Sequence, residues 1–323
     1  MLFQSIISQT LIPLLVCITV PNTHQSDKAP PNQAPGVGSN VSGGDGNDAR
    51  GLLSTIGGGE KNSTLGLRST IGGGMANTAT GNASTIGGGV ENTTSGNTSS
   101  IDGGMKNEVS GDFGTIGGGL ANRANALGAT VGGGEGNTAA GEASTVPGGR
   151  KNWAGGKSSF AAGTNANDLG NDHSFVWGGA EGKRSSAGED TFNVWSAGGI
   201  YLNGAVHASS DRNMKEDFST INAQEVLAKV LEIPVTTWRF KSEDHSVRHI
   251  GPVAQDFMAA FGYGVDNRHI TSTDADGVAL AAIQGLNEKL KLELDEKQAE
   301  IDFLNERLVS FEQRLSAIEN TYK

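Results

Sequence analysis

Cysteine is almost missing from this chain. Cys17 stands alone, which excludes an intrachain disulfide framework and a cysteine-based zinc site. Proline is scarce, at 8 residues, and no Gly-X-Y period accompanies the 49 glycines, so a collagen-type triple helix is excluded. Aromatics make up 6% of the chain, too few for a large globular core over its whole length. Basic residues are outnumbered, 24 Lys and Arg against 35 Asp and Glu, and form no basic stretch, so nucleic acid is not an expected partner. Long apolar runs are missing too, with one exception, Leu11 to Val20. That run reads as the apolar region of a signal peptide over residues 1–22, although no Lys or Arg precedes it. It is a poor lipoprotein box, because Val16 rather than a small residue precedes Cys17. The expectation is a secreted or cell-surface protein with no membrane span once the signal is removed. Residues 23–50 are polar and rich in Pro, Gly, Asn and Asp, and are expected to form a disordered linker.

What the sequence does contain is a repeat. Ile56, Ile71, Ile86, Ile101, Ile116, Val131 and Val146 are spaced 15 residues apart, each followed by a Gly-rich triplet such as Gly57-Gly58-Gly59. Six positions on stands an asparagine, from Asn62 and Asn77 through to Asn152, and a further glycine column starts at Gly66, broken only by Ala126. A short fixed period signals a solenoid. Fifteen residues are too few for a helix pair and suit one coil with two short strands and two turns. In Ser54-Thr55-Ile56 the aliphatic faces inward, and glycines are expected to supply the left-handed turns. Coils about 4.8 Å apart would let the asparagines form a ladder of side-chain hydrogen bonds. One aliphatic per coil is a thin core, so neighbouring copies are expected to cover the rest. The pattern resembles the head repeats of YadA-like trimeric adhesins, with a period of 15 and Ile-Gly-Gly-Gly in place of the usual run. The resemblance covers residues 51–190 and implies a mainly β fold, a left-handed parallel β-roll or solenoid. Residues 191–207, with Phe192, Val194 and Trp195, read as a neck closing its end.

Beyond the neck glycine thins and charge rises. The strongest local motif is Ser209-Ser210-Asp211-Arg212-Asn213-Met214-Lys215. With Glu216-Asp217-Phe218, Pro234-Val235 before Trp238, and Ile250-Gly251-Pro252-Val253-Ala254-Gln255-Asp256, it resembles the endosialidase-type intramolecular chaperone, the self-cleaving domain that ends many phage tail spikes. Met214 and Asp217 stand where that family often has Leu and Asn. A serine hydroxyl needs a base to become a nucleophile, and a lysine serves when burial lowers its pKa. The resemblance implies Ser210 as nucleophile, Lys215 as base, and cleavage between Ser209 and Ser210, once per chain, with no cofactor, no metal and no external substrate. It also implies a small α+β chaperone domain over 208–278. From 279 to 323 two seven-residue columns, one through Leu294, Ile301 and Leu308 and the other through Leu290, Leu304 and Phe311, read as a coiled coil. Ile301 with Leu304 leans toward two strands, while the stalk and the resemblance favour a homotrimer.

The expected protein is a trimeric fibre whose tail assembles it and is then released. The rival readings are an uncleaved structural stalk and a phage-type tail-fibre component. A glycan-cleaving spike is disfavoured, because the repeats show no recurring carboxylate pair. A cell-surface or glycan receptor is the partner such a fibre would meet, and no residue specifies it. Weaker signals fail. Gly155-Gly156-Lys157-Ser158 hints at a phosphate loop but has Lys151 where a glycine is needed. His245 and His249 have helical zinc spacing without a glutamate next to His245. His207 reads as a polar neck residue. Asn-x-Ser/Thr triplets such as Asn62-Ser63-Thr64 follow from the repeat's composition. Trp153, Trp177 and Trp195 fit packing better than a sugar platform.

Overall fold

A computed structural model describes residues 30–179 and 184–321, so the expected signal peptide lies outside the described residues. The chain divides into two units, residues 1–196 and 197–323.

The first unit is a parallel β-solenoid of 15-residue coils. Each coil gives one two-residue strand to each of two sheets. Thr55–Ile56 pairs with Thr70–Ile71 in the first, and Ser63–Thr64 pairs with Thr78–Ala79 in the second. A third line of single bridges joins Glu60, Met75, Val90, Met105, Leu120 and Glu135. Alternation decides what is inside. Ser54, Ile56, Asn62 and Thr64 are buried while Thr55 and Ser63 look outward. The core has a second apolar column beside the aliphatic one, formed by Ala79, Val109, Ala124, Ala139 and Ala154. Inward serines are satisfied locally, as where Ser84 Oγ donates to the Gly81 carbonyl at 2.7 Å.

The asparagine column forms the expected ladder. The Asn77 backbone N–H donates to Asn62 Oδ1 at 3.0 Å, and Asn92 N–H to Asn77 Oδ1 at 3.0 Å. Each amide nitrogen also closes a turn: Asn92 Nδ2 donates to Gly88 O at 3.0 Å in its own coil and to Gly104 O at 2.9 Å in the next. These groups are buried, so each bond removes a desolvation cost of about 1–3 kcal/mol per group.

Glycines supply only part of the turning. Gly59, Gly74 and Gly89 sit at φ of 90°, and a Cβ at Gly59 would fall 2.0 Å from the Gly74 carbonyl oxygen. The two other corners are left-handed yet mostly built without glycine, as at Lys61 (φ 55°), Ala76 (φ 56°), Arg68 (φ 56°) and Ala83 (φ 53°). Such a residue costs about 1–2 kcal/mol. Coil-to-coil backbone bonds hold these corners, for example Ala76 N–H to Glu60 O at 2.8 Å.

The solenoid extends past both expected ends. Residues 32–50, expected to be disordered, form coil structure, since Asn40–Val41 pairs with Thr55–Ile56 and Asp48–Ala49 with Ser63–Thr64. Val41, Asn47 and Gly36 stand 15 residues before Ile56, Asn62 and Gly51, so this is a degenerate repeat rather than a linker. At the other end Phe192–Trp195 pairs in parallel with Phe175–Gly178 and is a further rung rather than part of a neck.

The second unit holds three helices, α1 (Ala223–Glu232), α2 (Ala254–Phe261) and α3 (Ser272–Thr321), and one antiparallel pair, Thr236–Trp238 with His249–Gly251. Asn222 caps α1, its Oδ1 accepting from Gln224 N–H at 3.1 Å and Glu225 N–H at 3.2 Å. Val226 of α1 packs on Ala281 and Ala282 of α3. At Gly285 the two helices touch so closely that a Cβ would lie 2.2 Å from Ala223 O. The first turns of α3 therefore belong to the small α/β region, and the helix starts ahead of the expected residue 279. Further along, Leu294, Ile301, Leu304 and Leu308 of the heptad columns are all exposed on the single chain. Among the described residues no helix is long and apolar enough to cross a membrane.

Replacing Asn92 by Ala orphans the Gly88 carbonyl and the Asn107 N–H and leaves the Gly104 carbonyl with the Val90 N–H alone. We expect a loss of about 3 kcal/mol or more in denaturant unfolding, against less than about 0.5 kcal/mol for the neighbouring outward change Thr93→Ala.

Candidate active site

The motif around Ser210 folds into a single 3₁₀ turn, Arg212–Met214. Asp211 builds it. Its carboxylate accepts from Asn213 N–H at 2.9 Å and from Asn213 Nδ2 at 3.1 Å, as a short acidic side chain does at the start of a helix. Lys215 follows in extended conformation (φ −126°, ψ 147°) with its N–H on the Arg212 carbonyl. The turn reverses the chain by enough to return the lysine side chain to the serine: Lys215 Nζ lies 2.6 Å from Ser210 Oγ. Ser209 Oγ donates to the Met214 sulfur at 3.2 Å. The Arg212 guanidinium lies 5.1 Å from the Phe218 ring centroid. Asp217 adopts a left-handed conformation, φ 56°, which Asn also tolerates better than most residues.

Ser210 and Lys215, the residues that the resemblance implies, are thus in hydrogen-bond contact. A proton can pass from hydroxyl to amine along that line once the amine is neutral. Both side chains are exposed in the single chain. Sequence alone assigned no role to Asp211 or Arg212. The structure gives Asp211 the turn that aims Lys215, and the signal available for it was an Asx residue two positions before Asn213.

The separated motifs of the C-terminal region come together in the antiparallel pair. Trp238 lies opposite His249, and its Nε1 donates to the Gly251 carbonyl at 3.3 Å. The His249 ring stacks on Trp238 at 4.8 Å, with Phe240 edge-on to Trp238 at 5.0 Å. His249 Nε2 lies 2.8 Å from Glu243 Oε2, and this hydrogen bond, ahead of the Phe240 N–H bond, holds the Glu243 carboxyl below its ordinary pKa. His249 is therefore engaged by a carboxylate and an indole, and His245 does not share its partners. Among the described residues no group of three or more His, Cys, Asp or Glu is placed to hold a metal ion.

Gly155 and Gly156 do present their N–H groups to an anion, but to an internal one. Asp168, fully buried, accepts from Gly155 N–H at 2.7 Å, Gly156 N–H at 2.8 Å and Gly170 N–H at 3.0 Å. The phosphate-loop hint is a carboxylate plug of the solenoid. Trp195 packs under the Arg184 guanidinium and donates to Ser185 O at 3.1 Å.

Residues 210–266 match the family model described as chaperone of endosialidase, a family classed among the peptidases. The match begins at Ser210 and takes in the turn, α1, the antiparallel pair and α2. It supports an intramolecular chaperone role for this region. A search of curated proteins gave no match.

Glu243 supplies a pH test. Its carboxyl is depressed in the folded state, so its contribution is present above the ordinary carboxylate range and is lost as pH falls through the lowered folded value. Stability followed by tryptophan fluorescence should decline on acidification below about pH 4.5, and Glu243→Gln should flatten that decline.

Proposed function

We propose that the chain is a subunit of an exported homotrimeric fibre whose C-terminal region aligns three copies and is then cut off by its own Ser210. The observation that carries this reading is the 2.6 Å contact between Lys215 Nζ and Ser210 Oγ at the first residue of the chaperone match. The solenoid is the stalk and the exposed heptad columns of α3 are the seam between copies. The apolar run Leu11–Val20 supports export.

The chemistry balances with this chain's own groups. Lys215 takes the hydroxyl proton while Ser210 Oγ bonds to the Ser209 carbonyl carbon. The Ser209–Ser210 amide bond breaks, and its nitrogen leaves with a proton returned by Lys215. Water then opens the Ser209 ester, leaving a carboxylate on Ser209 and a free amino terminus on Ser210. A lysine works as a base when desolvated, and the exposed pair gains that burial when copies pack around it. The step runs once per chain. A chaperone has a clear use here, because non-local parallel pairing is slow and leaves open edges. Its removal leaves a fibre that cannot readily refold and is therefore kinetically stable.

Wild-type chain, expressed at full length, should yield a fragment starting at Ser210 and ending at Lys323, identified by N-terminal sequencing. Ser210→Ala and Lys215→Met should remain whole. Intact wild type would favour the uncleaved stalk, and cleavage of Ser210→Ala would remove Ser210 from the nucleophile's role.

A further inference from the structure

One face of the solenoid is built unlike the others. On the first sheet the outward positions carry threonine or serine from Thr55 to Thr145 and then turn aromatic. Phe160 stacks on Phe175 at 4.6 Å and 6°, and Phe175 on Phe192 at 4.4 Å and 17°, with Phe192 73% exposed and Trp177 beside them 45% exposed. Around the corner, on the third line of bridges, Met75, Val90, Met105 and Leu120 make an outward apolar run over four successive coils. The outward strand positions from Thr55 to Thr145 carry no charge; Asp102 directly follows the strand Ser100–Ile101, and Arg150 is the charged residue of the short side strand Gly149–Arg150. Of the solenoid's ion pairs, Arg123 with Glu108 lies on the second sheet and Lys106 with Glu91 at a left-handed corner, while Lys61 with Glu60 borders the apolar run one coil before Met75.

Between the two apolar flanks runs the middle glycine of each triplet, present in every coil from Gly43 to Gly148. Gly118, at φ 155°, apart, the chain itself does not call for glycine there. A Cβ at Gly73, Gly103 or Gly148 would meet nothing within 4 Å, and these three lie outside the left-handed region. This contrasts with the next glycine of the triplet, Gly59 or Gly74, where φ and a carbonyl contact both demand it. A column kept bare without an internal reason, between apolar flanks, fits the close approach of another backbone.

We propose that this corner is where three copies of the chain meet, the middle-glycine column nearest the threefold axis, with the threonine and aromatic flank of each copy against the Met75–Leu120 flank of the next. The proposal rests on the trimeric reading above and names its surface. The occupant must carry the same coil spacing over many coils, which a second copy does. The area suffices. Eleven successive first-sheet strands at about 4.8 Å, by six residues at about 3.3 Å each, give about 1,000 Å² per copy, against roughly 800 Å² per partner in a standard stable interface. Glycine at a crowded axis is the same solution collagen uses.

The experiment uses full-length chain with Cys17→Ser, adding Gly73→Cys in one variant and, as a control on the second sheet, Thr93→Cys in another. Each is oxidised and run on a non-reducing gel, and the mass of each is measured by light scattering. A trimeric parent with disulfide-linked chains for Gly73→Cys, and none for Thr93→Cys, is the expected result. In addition, Gly73→Leu with Gly103→Leu should lower the trimer's melting temperature while the monomer's β circular dichroism persists. A trimeric parent that cross-links through Thr93→Cys but not Gly73→Cys overturns this surface and leaves the trimer standing. A monomeric parent overturns both.

Discussion

The solenoid depends on one hydrogen-bonded column. Each asparagine of the series from Asn47 to Asn152 closes the turn of its own coil, grips a glycine carbonyl of the next, and offers its oxygen to the backbone N–H of the following asparagine, or of Ala166 after Asn152. A coil with one isoleucine or valine and one small residue inside buries little apolar surface. Its identity as a coil therefore rests on leaving no buried polar group unpaired. Glycine at φ near 90° brings the carbonyls within reach, and the coil-to-coil backbone bonds tolerate the left-handed corners at Lys61 and Ala83 because the ladder fixes their spacing. Asp168 takes over at the degenerate end, where it gathers the N–H groups that a regular coil would have directed elsewhere.

The C-terminal unit works on another principle. Its packed interior is small, centred on Val226, Ala281 and Ala282, while α3 leaves its heptad columns open. The Ser210–Lys215 contact is set by a local turn capped by Asp211, so the pair is aimed before anything covers it. Local geometry and long-range assembly are thereby separated: the first can form in one chain, and the second awaits other copies in the proposed trimer.

Much of this could be read from residue order, because a solenoid writes its three-dimensional neighbours into sequence at a fixed interval. Ile56 to Val146 gave the core and Asn62 to Asn152 the ladder, and the resemblance singled out Ser210 and Lys215, whose side chains are in contact. The first coils were missed where Val41 replaces isoleucine and the surrounding prolines and aspartates mimic a linker. The second inward column escaped notice because it mixes Thr64, Ala79 and Val109, residues with no common hydrophobicity. The left-handed corners occupied by Lys61, Arg68 and Phe113 gave no signal, since hydrogen bonds from adjacent coils rather than side-chain preference impose that conformation. The partnership of His249 with Glu243 and Trp238 depends on a loop path that spacing does not encode.

Sameness from coil to coil has a price of its own. Two stalks laid side by side but offset by 15 residues would present nearly the same hydroxyls, glycines and aliphatics to each other, so mispairing by one whole coil is barely penalised along most of the length. Only the irregular marks, such as Asp102, Pro147 and the aromatic stack from Phe160 onward, tell one rung from its neighbour. The proposed fibre could therefore not count its own rungs by its sides, and its alignment would have to be dictated by something aperiodic at one end.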